Sequence, residues 1–281
     1  RSTPLTMKEA FTLPARQVSL VEQPQLANSW DLMSKKFHVG SAGQNGLKAA
    51  LLASKDFTSS DGALEAKEGF AFTYSDEQDF SQITDNLGGS FEVTRNTYKP
   101  FACGIVTHPI IDGCIQLRDE NNLTSDQIAE VSLRVNPLVI KLTGKKTPRT
   151  GLEAKFSIYH ASSASIIRGS AGPNEFTDAV VRDAEVVELR DKVVAQIDES
   201  VSEEEAFVSI TLHDGTVLNK HVEHAIGSFE RPMTTESLEK KFKDQALSAL
   251  PADQIDRVMA MCWDVESLDD ITEIARASVS A

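Results

Sequence analysis

A lysine and a histidine lie close together in Thr97–Gly113, whose sequence is TYKPFACGIVTHPIIDG. A proline follows each of them, which disfavours helix at Lys99 and His108 and predicts that both lie at bends. The segment carries no acid before Asp112, so it is locally cationic in an acidic chain. A neutral histidine can act as a general base near pH 7, and a lysine can hold a carboxylate. The segment therefore predicts a site that binds an anion and transfers a proton.

A second cationic segment comes just before a predicted helix. Lys35, Lys36 and His38 precede a run that starts at Ser41, in which small residues recur at helical spacing. Such a helix can approach a neighbour closely and bury one face. Residues 32–55 carry no acid. An anion near the start of this helix would meet free backbone N–H groups and the positive end of the helix dipole.

A further candidate lysine, Lys155, lies in Thr150–Gly169, which is predicted to be one helix. Thr150 and Glu153 fit a capping box at its start, and the glycine ends it. Lys155 shares a face with a tyrosine one turn later, an arrangement that is more often a surface pair than a site. Polar residues on two faces predict that part of this helix lines a wet cavity.

Charge and cysteine content exclude several classes of function. The 281-residue chain has a net charge of −14, which argues against nucleic acid or an anionic membrane as a general partner. Three cysteines without a CxxC pair indicate a reducing compartment, with neither a disulfide framework nor a zinc site. No apolar run approaches the roughly 20 residues of a membrane span, and no signal-peptide pattern is present. A start at Arg1 rather than at methionine indicates a processed or truncated chain.

A metal-dependent hydrolase is also disfavoured by the positions of the histidines. No HxxxH or HxH motif occurs. His221 and His224 lie at the end of a predicted strand, with no clustered carboxylate partner nearby in the sequence. The prediction is that the protein has no metal site and no cofactor.

The predicted elements are helices, then a mixed region, then helices. Strands are predicted at Phe91–Val93 and Ala129–Val135, and a hairpin at Ala206–Val222 that turns at Asp214 and Gly215. Further helices are predicted at Ile110–Leu117, Asn174–Asp198, Thr235–Leu250 and Ala252–Ala277.

This order predicts an α+β fold in which one domain is inserted into another. Residues 1–75 and 232–281 would form a partial all-helical domain, and residues 76–231 an α+β domain between its two parts.

The sequence resembles the MmgE/PrpD family, whose members include 2-methylcitrate dehydratase, cis-aconitate decarboxylase and iminodisuccinate epimerase. The resemblance extends over roughly Phe11–Ala275 in the family's own order. It rests on four segments: KKFHVGSAGQNGLKAALLASKDFT (Lys35–Thr58), YKPFACGIVTHPIIDG (Tyr98–Gly113), IAEVSLRV (Ile128–Val135) and PRTGLEAKFSIYHASSAS (Pro148–Ser165). No single segment would suffice alone.

The resemblance implies a homodimer in which a helical domain and an α+β lid enclose a metal-free site. Its chemistry would be proton transfer next to a carboxylate, with loss of water, loss of carbon dioxide or epimerisation as the outcome. The implied catalytic residues are His38, Lys99 and His108. The implied substrate-binding residues are Lys35 or Lys36, Tyr98 and Lys155.

One departure from the family leaves the function open. Family members carry a long helical segment before this point, and nothing in Arg1–Trp30 is recognised as matching it. One hypothesis is a lyase or isomerase acting on a small di- or tricarboxylate. The other is a truncated, inactive remnant or an accessory subunit that binds or oligomerises. The expected compartment is the cytoplasm, or the mitochondrial matrix in a eukaryote.

Overall fold

The computed structural model describes residues 34–280, with residues 34–36, 38 and 39 described as backbone only. These residues form two compact units, 34–94 and 95–280. The chain combines helices with a sheet, so the α+β prediction is confirmed. Among the described residues, no helix has the length and hydrophobicity that crossing a bilayer requires.

The first unit is helical. Its helices are α1 (Ser34–Ala53), α2 (Phe70–Tyr74) and α3 (Ser81–Thr84). The strand predicted at Phe91–Val93 is wrong: Glu92–Arg95 forms a 3-10 turn. The aromatic and β-branched side chains that suggested a strand are exposed here, and the described residues offer this segment no neighbouring strand.

Helix α1 begins earlier than its sequence predicted. It already includes Lys35, Lys36 and His38, so the prediction that these residues precede the helix is wrong. No proline or glycine interrupts the chain from Ser34 to His38, and nothing local therefore stops the helix there. The side chains of the two lysines and of His38 lie outside the described residues. Their proposed roles stay predictions.

The second unit is built on a sheet with the strand order β2-β1-β3-β4. The strands are β1 (Ile128–Val135), β2 (Val193–Ile197), β3 (Ala206–Leu212) and β4 (Val217–Val222). Strand β1 pairs in parallel with β2, whereas its pairing with β3 and that of β3 with β4 are antiparallel. The alternation predicted for β1 is confirmed, because Val131, Leu133 and Val135 are buried and the residues between them are not.

The predicted β-hairpin is also confirmed. Strands β3 and β4 are joined by a turn in which Gly215 has a φ of +88°, a left-handed conformation that favours glycine. The Asp214 carboxylate accepts a hydrogen bond from Thr216 N at 2.9 Å and fixes the turn.

The helices described in this unit are α4 (His108–Asn121), α5 (Pro137–Thr143), α6 (Gly151–Ala154), α7 (Ile158–Arg168), α8 (Asp178–Val181), α9 (Ala184–Asp191), α10 (Thr235–Ala246), α11 (Ala252–Trp263) and α12 (Thr272–Ala277). Among them, α4 packs against β3 and β4, and α7 packs against β2. Ile110 of α4 and Ile158 of α7 are buried with Leu133 and Val208 of the sheet. Each such side chain contributes about 1.5–3 kcal/mol through its burial. A Cβ on Gly113 would come within 2.9 Å of Val208, so α4 lies directly on the sheet.

The helix predicted over Thr150–Gly169 is two helices, α6 and α7. Thr150 caps the first, because its hydroxyl accepts from Glu153 N at 3.2 Å. The Glu153 carboxylate accepts from Arg149 N instead of completing a capping box. Ser157 interrupts the run and caps α7 by accepting from His160 N at 3.1 Å.

The wet cavity predicted along this helix is wrong. His160, Ser162, Ser163 and Ser165 are fully buried in the core. The serine hydroxyls donate to carbonyl oxygens of their own helix, at 2.7–3.1 Å, which lets them be buried without water.

Candidate active site

The segment from Lys99 to His108 folds into a tight turn around a buried cysteine. The Thr107 hydroxyl donates to Gly104 O at 2.6 Å and lies 3.0 Å from Cys103 Sγ. The Lys99 ammonium group lies 3.5 Å from Cys103 O, so the side chain folds back over the turn. His108 is the first residue of α4 rather than a bend before it. The turn therefore holds the lysine and the histidine of this segment near each other.

His108 is buried, with 3% of its surface exposed. Its ring meets the Phe101 ring edge-on, with 5.3 Å between centroids, and its Nε2 has no hydrogen-bond partner among the described residues. The pKa of His108 is lowered from 6.5 to about 4, mainly by burial and also by the nearby charges of Lys99 and Lys241, against a hydrogen bond to the Cys103 backbone. The imidazole is therefore neutral at pH 7 and can accept a proton.

Two lysines from other parts of the unit lie near this turn and its own Lys99. The charges of Lys99 and Lys155 both act on the Cys103 thiol, and Lys155 O accepts from Gly104 N at 3.2 Å. Lys241, on α10, donates to the Lys99 carbonyl oxygen. The structure thus brings together the predicted residues Lys99, His108 and Lys155, and it adds a lysine that the sequence did not indicate.

The cysteine itself is a core residue and not a nucleophile. Burial raises the pKa of the Cys103 thiol to about 11, although the Thr107 hydroxyl and the two lysines act in the opposite direction. The thiol therefore stays protonated at neutral pH, and a thiol is a weak nucleophile in that form.

Residues of the segment Tyr98–Phe101 line two cavities. A cavity of about 290 Å³ is lined by Tyr98 and His108 together with the loop after β4. A larger one, of about 840 Å³, is lined by Phe101, Lys241 and the loop after α7. Their sizes are close to or within the usual range of small-molecule sites, about 300–1,000 Å³.

Sequence comparison identifies the chain. The sequence model of the MmgE/PrpD C-terminal domain matches residues 101–265, more than half of the chain. The chain belongs to the MmgE/PrpD family. The model of the MmgE/PrpD N-terminal domain matches residues 6–83. The expectation that nothing before Trp30 matches that domain is therefore wrong.

Curated relatives within the MmgE/PrpD family are similar at low identity. The chain is 24% identical to cis-aconitate decarboxylase of Mus musculus over 255 residues, which cover 86% of the chain and 52% of that protein. It is 23% identical to cis-aconitate decarboxylase of Homo sapiens over 254 residues, 84% of the chain and 51% of that protein. It is 28% identical to the mitochondrial 2-methylcitrate dehydratase of Yarrowia lipolytica over 159 residues, 52% of the chain and 31% of that protein. The chain spans about half the length of the cis-aconitate decarboxylases it matches.

The loop after β4 packs against Tyr98 and Pro100, which belong to one of the segments on which the MmgE/PrpD resemblance rests. Gly227 has a φ of +87°, and a Cβ there would lie 2.3 Å from Tyr98 O and 2.7 Å from Pro100 Cδ. Tyr98 is half exposed, at 51%. The close approach of two backbones explains why a glycine occupies this position.

Gly227→Ala is therefore expected to destabilise the protein by about 2 kcal/mol, from a left-handed backbone and a clash with Tyr98 O. Urea unfolding measures this loss. Gly215→Ala is the matched control, because its φ is also left-handed, at +88°, but a Cβ there meets open space. Equal losses in the two variants would contradict the close approach.

The prediction that His221 and His224 have no clustered carboxylate partner is wrong. His221 Nε2 lies 2.6 Å from Glu205 Oε1. His224 Nδ1 lies 4.0 Å from Glu204 Oε2 and 3.7 Å from Glu230 Oε2. The glutamates come from the segments before β3 and after β4, and only the folded hairpin brings them to the histidines.

Proposed function

We propose that the protein is a lyase or isomerase of the MmgE/PrpD type that acts on a di- or tricarboxylic acid. The named relatives are a decarboxylase and a dehydratase, which favours these two outcomes over epimerisation. The observation that carries the proposal is His108: it is buried and neutral, its Nε2 has no hydrogen-bond partner among the described residues, and ammonium groups lie close to it. The ammonium groups of Lys99 and Lys241 suit the carboxylates of a substrate resembling cis-aconitate or 2-methylcitrate.

The chemistry requires a base and positive charge in the same place. A proton next to a carboxylate is weakly acidic, because its removal builds negative charge on a group that is already an anion. In this proposal Lys99 and Lys241 hold the substrate carboxylates and stabilise the developing charge. The neutral His108 accepts the proton at Nε2. Ammonium groups, and not a metal ion, neutralise the substrate in this step.

The other predicted residues complete the proposed site. Tyr98 lines the cavity that His108 reaches, and Lys155 adds positive charge to the turn. His38 and one of Lys35 and Lys36 stay predicted site residues, whose side chains lie outside the described residues. We also propose a homodimer, with the α+β part acting as a lid, in the cytoplasm or a mitochondrial matrix.

The direct test is proton exchange in the purified full chain. Exchange of substrate C–H for deuterium in D₂O, followed by proton NMR, detects proton transfer even where no product is released. Cis-aconitate and 2-methylcitrate are the probes. Exchange or turnover supports the proposal. Binding of either acid without exchange or turnover would favour the alternative, a protein that binds or oligomerises without chemistry.

Substituting the lysines tests the proposed carboxylate contacts. Lys99→Met and Lys241→Met are each expected to weaken binding of cis-aconitate about 10- to 100-fold, which corresponds to the loss of one charge-assisted hydrogen bond. Isothermal titration calorimetry measures this change. Lys141→Met is the control, because Lys141 is exposed on α5 and its charge is not among those that act on His108 or on the Cys103 thiol. A control loss as large as that of Lys99→Met would mean that only the overall charge matters.

A further inference from the structure

We propose that Glu204, His224 and Glu230 bind a divalent transition-metal ion. This acid–histidine cluster lies on the rim of the 290 Å³ cavity. One ligand atom from each residue lies within 4.8 Å of the others. The proposal concerns cation binding alone, so it goes beyond the proposed function and does not depend on turnover of a carboxylate.

The distances in the cluster fit ligands of one ion better than hydrogen bonds. His224 Nδ1 lies 4.0 Å from Glu204 Oε2 and 3.7 Å from Glu230 Oε2, both too long for hydrogen bonds. Ligand atoms at about 2.0–2.2 Å from one zinc ion in a tetrahedral site lie about 3.4 Å apart. Small rotations of the two exposed glutamate side chains would shorten the observed distances of 4.0 Å and 3.7 Å to that value.

The histidine nitrogen at the centre of the cluster is unsatisfied. His224 Nδ1 is shielded from solvent and has no hydrogen-bond partner among the described residues. A buried nitrogen without a partner is costly, so each such atom requires an explanation. A bound cation would satisfy this nitrogen and neutralise the two carboxylates that face it.

A second unsatisfied side chain lines the same cavity. His108 is 97% buried, and its Nε2 also has no partner among the described residues. The cavity is lined by Glu203 as well as by the two glutamates of the cluster. Imidazole nitrogens and carboxylates in one cavity provide lone pairs and negative charge, which attract a cation.

The backbone that carries the cluster is held in place by its neighbours. Arg231 NH1 donates to His224 O at 2.8 Å and to the buried Asp112 carboxylate at 2.9 Å, which ties the loop after β4 to helix α4. On the other side, Glu205 accepts from Ser202 N at 3.0 Å and fixes the chain next to the first glutamate. The ligands would therefore need little reorganisation to bind an ion.

The ligand set indicates which cations fit. One imidazole with two carboxylates suits zinc, manganese or cobalt(II). Calcium and magnesium prefer all-oxygen ligands, so they are expected to bind much more weakly. Three protein ligands leave a position open for water.

Metal titration of the full chain, without an affinity tag and after EDTA treatment, tests the proposal. We expect saturable binding of one Zn²⁺ per chain in calorimetry, and visible absorption bands when Co²⁺ is used. Glu204→Gln with Glu230→Gln, and separately His224→Ala, should each weaken Zn²⁺ binding by roughly 100-fold or more. Their metal-free thermal unfolding, compared with that of the parent, shows whether each variant is folded.

Glu203→Gln is the matched control for the titration. It removes the same charge from the same cavity but lies outside the cluster, and it should change Zn²⁺ affinity less than about threefold. Three results would overturn the proposal: binding that does not saturate, binding that the cluster variants leave unchanged, or an equal loss in the control. None of these measurements uses a substrate, so the outcome is separate from that of the lyase test.

Discussion

Replacing His108 with glutamine is expected to lower the turnover of a di- or tricarboxylate by roughly 100- to 10,000-fold, the usual contribution of general acid–base catalysis. Glutamine is similar in size and can hydrogen bond, but it cannot accept the proton. Steady-state kinetics with cis-aconitate and 2-methylcitrate measure the loss. Substrate binding should change little, because the lysines remain. His213→Gln is the control: the same substitution at an exposed residue near the hairpin turn should leave kcat unchanged.

The pH dependence provides an independent check on the same residue. Because burial lowers the pKa of His108 to about 4, kcat/KM should stay level as the pH falls from 7 to 5. In the unfolded chain the same histidine takes up a proton near pH 6.5. The folded state therefore loses stability as the pH falls from about 6.5 to 4, and His108→Gln should reduce that loss. A kinetic acid limb near pH 6.5 would contradict the assignment of His108 as the base.

Local sequence signals predicted those parts of the fold that depend on neighbouring residues. The alternation in β1 and the Asp-Gly turn of the hairpin are short-range patterns, and both are confirmed. The helix predicted over Asn174–Asp198 is wrong at its end, where β2 lies; the burial of β2 does not alternate, and only Val193 on it is fully buried. Its partner β1 lies about 60 residues earlier in the chain, and that pairing leaves no local trace.

The candidate site was predictable to the extent that its residues share one segment. The acid-free stretch pointed to Lys99 and His108, and the structure places them at one turn. Lys241 could not be predicted as a site residue, because its sequence context on α10 is that of any lysine on a solvated helix face. Its contact with the Lys99 carbonyl arises from the way that helix packs against the turn. The acid–histidine cluster was missed for the same reason, since it forms only when the hairpin folds.

Asp112 connects helix α4 to the loop after β4, and its removal is expected to have the largest effect on stability. Its carboxylate accepts from Ile226 N and Arg231 NH1, both at 2.9 Å, and from Gln116 Nε2 at 2.7 Å. Only 6% of the residue is exposed. Asp112→Ala should therefore lower the free energy of unfolding by about 3 kcal/mol, since it leaves a backbone N–H without its partner and breaks a charge-assisted hydrogen bond.

Urea unfolding of the full chain measures this loss. Asp119→Asn is the matched control on the same helix: that carboxylate is 56% exposed and pairs with Arg118, so its loss should cost less than about 1 kcal/mol. Because the loop also carries Gly227 and the cluster residues His224 and Glu230, Asp112→Ala should weaken Zn²⁺ binding as well. If Asp112→Ala unfolds at the same urea concentration as the parent protein, the stability of the loop does not depend on the Asp112 carboxylate.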